Sequence, residues 1–299
     1  MISLEAEFLK GSYPPIITPF KDGKVDFDAY ANLVEHQIRE GSHGVLVNGT
    51  TAEPSTLTIE ERNQLVSVAV DATAQRVPVV AATGSQSLAE TRELSAYAER
   101  AGANALLIVT PYYVRPPQRG LVEYYLDLAQ RSSLPFMIYH IPGRAAVSVG
   151  LETLREIASR ADHFVGMKHA VTDLNLVTDA LLALGDEFRI FVGLEDLSFP
   201  MLAVGACGMM NAVGNLAPRK VAALYEAVAA GKLAEARSLH RDLWELNQAV
   251  FYDTNPIAMK YMLRRMGVIP ANEHRLPMVP ATPELETRLD GVLERAGLI

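Results

Sequence analysis

Short apolar runs recur along this chain at a nearly constant interval, and helical segments fill most of the gaps between them. The runs are YPPIITPF from 13, GVLVNG from 44, VPVVAATG from 77, ALLIVTPYY from 105, PFMIYHIP from 135, FVGMKHA from 164, RIFVGLE from 189 and GMMNAVG from 208. They are rich in β-branched residues and too short for helices, so each reads as a strand. The intervening segments, such as DAYANLVEHQIREG, SLAETRELSAYAERAG and GLVEYYLDLAQRS, place apolar residues three and four apart, and several end at Gly. Strands that are apolar throughout, rather than alternating, belong to a parallel sheet covered on both faces. Eight such units in the first 215 residues predict an α/β fold of the closed (β/α)8 TIM-barrel type. The open doubly wound sheet is the competing arrangement, but no G-x-G-x-x-G opens a helix after the first strand.

After Asn215 the alternation stops. PRKVAALYEAVAAG supplies the eighth barrel helix, and KLAEARSLHRDLWELNQAVF, NPIAMKYMLRRMG and TPELETRLDGVLERAG are helical patterns separated by the Pro-rich link IPANEHRLPMVPATP. The expected organisation is a barrel over 1–230 with a C-terminal helical appendage over 231–299, whose Ala- and Leu-rich faces suit packing on the barrel or on a second subunit.

Composition narrows the partners. A net charge of −8 without a Lys/Arg block argues against nucleic acid or an anionic membrane. No apolar run approaches the ~18 residues needed to cross a bilayer, and the N-terminus MISLEAEFLKG lacks a basic stretch followed by an apolar one, so a cytoplasmic protein is expected. Cys207 is the only cysteine, which excludes an internal disulfide and a thiol-rich metal site.

In such barrels the chemistry sits where the strands end. Lys168 is the residue there most in need of explanation, because it follows the apolar FVGM. Burial disfavours an ammonium and favours a neutral, nucleophilic amine able to attack a ketone. Gly166 shares its face and is expected to leave space beside the lysine stem. The bland alternative is an ion pair with Glu195 or Asp196. Tyr139 ends the preceding strand, about 4.8 Å away in a paired sheet, where a phenol can move protons on and off a carbinolamine oxygen.

The loop NGTTAEPSTLTIEER carries Thr50 and Thr51 and runs into a helix start at Thr58, a turn suited to a small carboxylate. Arg144, after the stiff turn IPG, suits two-point binding of a carboxylate. Tyr112 and Tyr113 end the fourth strand, where aromatics line a pocket or anchor a subunit contact. His140 and His169 end adjacent strands and suggest metal ligands, but no third histidine stands at a strand end, and no metal site is expected.

Taken together, IITPF, GTTAEPSTLT, TPYY, YHIPGR, GMKHA and TNPIAMKYML resemble the dihydrodipicolinate synthase and N-acetylneuraminate lyase family of Schiff-base pyruvate lyases, from about Gly11 to Gly267. The resemblance implies that Lys168 forms an imine with pyruvate and that Tyr139 shuttles protons. It places Thr50 and Thr51 beside the pyruvate carboxylate, with Thr51 also in a hydroxyl relay to Tyr139. Tyr113 matches a relay tyrosine that crosses from a neighbouring subunit, implying a homodimer or homotetramer. Arg144 matches the arginine that receives the carboxylate of aspartate semialdehyde, which favours the synthase branch and lysine biosynthesis. Met210 and Asn211 are expected at the substrate site. No cofactor is implied beyond the lysine imine.

The chain departs from the family pattern at Ala52 and Pro54 in the threonine loop, at His140 in place of Asn, at His169 in place of Glu and at Asn211 in place of Ser. These changes are expected around the pocket of the second substrate. They keep open an aldolase of another 4-hydroxy-2-oxo acid, such as a deoxy sugar acid or hydroxyoxoglutarate. Pro54, Ser55, Ile59 and Arg62 also make feedback by lysine unexpected. Two readings of other classes remain: a keto-acid-binding barrel without turnover, and a metal-dependent aldolase using His140 and His169.

Overall fold

A computed structural model describes residues 1–299. Eight parallel strands form one sheet: β1 (Gly11–Ser12), β2 (Val45–Val47), β3 (Val79–Ala82), β4 (Ala105–Val109), β5 (Phe136–His140), β6 (Phe164–His169), β7 (Arg189–Val192) and β8 (Gly208–Met209). Their spatial order is 1-8-7-6-5-4-3-2. A parallel bridge between Pro15 and Leu46 joins the two edges and closes the barrel. β1 is shorter than YPPIITPF suggests because Pro14 and Pro15 have no N–H to donate. The pairing there is carried instead by Ile16 N–H to the Leu46 carbonyl at 2.9 Å and Leu46 N–H to the Pro14 carbonyl at 3.0 Å. β8 ends at Met209 because Ala212–Asn215 tightens into a 3-10 turn.

The helices start where local chemistry satisfies their free N–H groups. Thr58 and Glu61 form a reciprocal capping box at the start of helix Ile59–Thr73, Ser87 caps helix Leu88–Ala101, and Asp173 caps helix Leu174–Leu184. A short antiparallel hairpin, Phe20–Lys21 with Lys24–Val25, turns on Asp22 and Gly23, both at positive φ. The C-terminal segment expected as one helix after Lys232 is two, Leu233–Asp242 and Trp244–Ala249, followed by Ile257–Arg265 and Pro283–Ala296. Leu246, Met262 and Leu289 are buried in the same apolar cluster as the outer faces of the strands, so these helices share the barrel's core. No helix is long and apolar enough to cross a membrane.

Alternation along the strands divides the apolar side chains into two layers. Leu46, Val80, Leu107, Met137, Tyr139 and Phe191 fill the barrel interior. Val45, Ala81, Leu106, Ile138, Ile190 and Val192 face the helices. β6 breaks this rule once. Phe136 pairs with Phe164, but the next residue, Met137, pairs with Gly166, so Val165 is one residue too many. Such a bulge reverses the parity of everything that follows it. Phe164 points outward and Val165 inward; after the bulge Met167 points outward, leaving Gly166 and Lys168 on the interior side. Lys168 is thereby set opposite Tyr139 on one flank and Phe191 on the other.

Candidate active site

Lys168 is 3% exposed, and its Nζ lies 4.4 Å from the centroid of the Tyr139 ring. A cation over an aromatic face gains modest electrostatic stabilisation. The ion pair with Glu195 or Asp196 is not formed. Glu195 is instead held by the Ala212 N–H, 2.6 Å from Oε1, while Oε2 has no partner. Burial pushes the Glu195 carboxyl up to about 7, against the pull of backbone N–H groups and the Lys168 charge. The space beside the lysine stem has a different origin from the one expected. A Cβ at Gly166 would meet the Arg189 carbonyl oxygen at 2.0 Å, so that glycine serves close strand approach. Gly193 leaves the room, since a Cβ there would lie 3.0 Å from Lys168 Cε.

The threonine loop presents its two hydroxyls in different directions. Residues Thr50–Ala52 form a single 3-10 turn, in which successive side chains diverge by roughly a third of a turn. Thr50 Oγ1 faces the Tyr139 hydroxyl at 3.3 Å. The relay expected through Thr51 is therefore not made: Thr51 is buried, and its Oγ1 accepts a hydrogen bond from Asn255 Nδ2 at 2.9 Å. The loop is also anchored from behind, where Thr18 Oγ1 donates to the Ala52 carbonyl at 2.8 Å.

Glu53 follows in left-handed conformation, φ 56°, and carries the strongest anchor. Its Oε1 lies 2.6 Å from Lys260 Nζ, with the two side chains 2% and 0% exposed, and His274 Nδ1 stands 3.8 Å from Oε2. Burial lowers the Lys260 pKa, and the Glu53 charge opposes that shift. Lys260 also donates to the Glu273 carbonyl at 2.9 Å and rests over the Phe20 ring. Asn255, Lys260 and Gly193 were not among the residues the sequence pointed to. The motif TNPIAMK was visible, but nothing local says that its Asn and Lys reach the threonine loop.

A cavity of about 420 Å³ opens at this end of the barrel. Thr50, Tyr112, Tyr139, Arg144, Thr254 and Asn255 are in its wall, while Lys168, Thr51, Met210 and Asn211 are not. Arg144 sits in the short helix Pro142–Ala145, exposed and without an acidic partner. Met210 packs in the barrel interior, and Asn211 donates to Ser198 Oγ at 2.6 Å. His140 and His169 are buried on the helix side of the strands and bond to each other, with no third His, Cys, Asp or Glu joining them in a metal-binding group. The departures at His140, His169 and Asn211 thus lie outside the cavity wall that they were expected to reshape, because parity turns both imidazoles outward and Asn211 is tied to Ser198. Tyr113 is 87% exposed at φ 71° and does not line this cavity.

Removing Lys260 leaves Glu53 buried and unpaired. Lys260→Met is expected to destabilise the fold by about 3–5 kcal/mol in denaturant unfolding. Adding Glu53→Gln to it should recover part of that loss; two additive losses would contradict the pairing.

A model of the dihydrodipicolinate synthetase family matches residues 8–296. A Thermus thermophilus protein named 4-hydroxy-tetrahydrodipicolinate synthase is 44% identical over 291 residues, 97% of each chain. The crystal structure of dihydrodipicolinate synthase from Aquifex aeolicus superimposes with a TM-score of 0.95 at 37% identity, covering 97% of this chain and 98% of that one. A structure described as the first monomeric dihydrodipicolinate synthase variant gives 0.94 at 35% identity, covering 98% of both chains. With a matching model over nearly its whole length and relatives of this similarity, the chain is a member of the dihydrodipicolinate synthetase family.

Proposed function

We propose that this chain is a 4-hydroxy-tetrahydrodipicolinate synthase, a carbon–carbon lyase of the class I aldolase type that joins pyruvate to aspartate semialdehyde through an imine on Lys168. The observation that carries the reading is a buried lysine without an acidic partner, set against a tyrosine ring whose hydroxyl meets a loop threonine. The Lys168 amine, once unprotonated, attacks C2 of pyruvate, and the oxygen leaves as water after two proton transfers. Tyr139 and Thr50 are the hydroxyls placed to move those protons. The protonated imine then withdraws electrons from the methyl carbon, which loses a proton and becomes an enamine. That carbon attacks the aldehyde, whose oxygen takes up a proton. The amino group of the aldehyde substrate closes onto the imine carbon and displaces Lys168. The lysine is the electron sink, and no step asks for a metal.

Arg144 stands at the cavity wall as a free guanidinium, placed to take the second substrate's carboxylate. Thr51 supports the pyruvate end of the site through the loop it anchors, Met210 supports it from the barrel interior, and Asn211 supports it through its bond to Ser198. Tyr113, exposed beyond its own site, suits a partner subunit's cavity in a cytoplasmic homodimer or homotetramer.

Borohydride added with pyruvate should leave a stable mass gain on the Lys168 peptide. Lys168→Ala abolishes it and Tyr139→Phe slows it, whereas no adduct on the unsubstituted chain would contradict the mechanism. Arg144→Ala should raise KM for aspartate semialdehyde by about 10- to 100-fold, the cost of one charge-assisted hydrogen-bonded pair, with KM for pyruvate unchanged. If the variant keeps both constants, the semialdehyde assignment fails and a panel of 4-hydroxy-2-oxo acids becomes the next substrate set.

A further inference from the structure

His140 and His169 are the last residues of β5 and β6, each one position beyond a residue of the proposed mechanism, and they pair directly in the sheet register. Tyr139 and Lys168 point into the barrel, so these two imidazoles point into the layer beneath the helices, where both are buried. Their Nδ1 atoms lie 3.2 Å apart, with ring centroids at 5.3 Å and planes tilted by 40°. His169 Nε2 lies 2.9 Å from the carbonyl oxygen of Asp173.

Those contacts fix the tautomers. A carbonyl only accepts, so His169 Nε2 carries its proton. Neutral imidazole has one N–H, which leaves His169 Nδ1 as an acceptor. The proton between the rings therefore belongs to His140 Nδ1, and His140 Nε2 is bare, consistent with its having no partner. Burial lowers the pKa of both rings, that of His140 to about 4, which keeps them neutral.

We propose that this hydrogen bond is a positioning device: His140 and His169 clasp the ends of the two strands that carry Tyr139 and Lys168, setting the rate of imine formation rather than the affinity for pyruvate. The inference rests on the imine reading above. Both rings lie on the helix side of the strands, opposite the face that carries Tyr139 and Lys168, so neither touches substrate. Past His140 the backbone ladder between β5 and β6 retains one bond, Ala170 N–H to the His140 carbonyl at 2.9 Å, before the chain turns at Pro142. The side-chain bond adds a second tie at that point. Through Asp173, whose carboxylate caps helix Leu174–Leu184, it also fixes the β6 end to a rigid element. Proton transfer between a phenol and an amine is steep in distance, and a displacement of about 1 Å costs up to about 100-fold in rate.

The test compares two substitutions in the full chain. His140→Asn keeps an N–H donor near the Nδ1 position, whereas His140→Phe keeps a ring without one. His140→Phe should slow borohydride-trapped imine formation and kcat by about tenfold, with KM for pyruvate within about twofold, and His140→Asn should restore most of the rate. Equal losses in the two variants, or a loss confined to KM, would overturn the inference. If His140→Phe does not fold, nitrogen-15 spectra of the unsubstituted chain decide, with His140→Asn giving the assignment. His140 in the Nδ1–H form and His169 in the Nε2–H form support the clasp; both in the Nε2–H form overturn it. A missing adduct on the unsubstituted chain would overturn the imine reading itself, an outcome distinct from these.

Discussion

One extra residue in β6 governs the chemistry of the whole barrel. Without the bulge that absorbs Val165 between Phe164 and Gly166, regular alternation would turn Lys168 toward the helices and His169 into the lumen. With it, the amine faces inward in register with Tyr139, and the two imidazoles that follow face outward in register with each other. A bulge in a parallel pair is uncommon and must be stabilised by its surroundings. Gly166 is part of that accommodation, because the bulged strand approaches the Arg189 carbonyl too closely for any side chain. Gly193 is the counterpart just past the end of the next strand, where the missing side chain is replaced by the lysine stem itself.

The second constraint joins distant parts of the sequence. The threonine loop follows β2, yet its hydroxyl Thr51 and its carboxylate Glu53 are held by Asn255 and Lys260 from the C-terminal region. Glu273 receives the backbone N–H groups of Asp22 and Gly23, and Arg275 forms a two-point pair with Glu61, adding to the same seam. Charges buried this deeply contribute little net stability, since desolvation offsets attraction, but they are costly to misplace. The C-terminal region therefore does more than cover the barrel: it fixes the conformation of the loop that meets Tyr139.

The architecture was legible because it rests on local periodicity. Apolar runs at regular intervals, the helices between them and the lysine after FVGM lead to the barrel, and Lys168 and Tyr139 do fall side by side. What local pattern does not carry is a contact between side chains far apart in sequence. Asn255 and Thr51 are 204 residues apart, and nothing near either names the other. The choice between Thr50 and Thr51 turned on the sense of a three-residue turn, which alternation alone does not specify. His140 and Asn211 were expected to shape the second-substrate pocket because they differ from the family pattern. Parity and a hydrogen bond to Ser198 put them elsewhere. The bulge had a trace in the sequence, Gly166 inside an otherwise apolar strand, but its cause lay on the neighbouring strand.

The central claim is that an inward-facing amine, placed by the bulge, becomes covalently joined to pyruvate. A crystal structure of the unsubstituted chain grown with pyruvate tests this most directly. The account predicts continuous density from Lys168 Nζ to C2 of the bound three-carbon acid, with the Tyr139 hydroxyl and Thr50 within hydrogen-bonding distance of each other beside it. Pyruvate bound intact in the cavity with Lys168 unmodified, or Lys168 turned toward the helix layer, would contradict it.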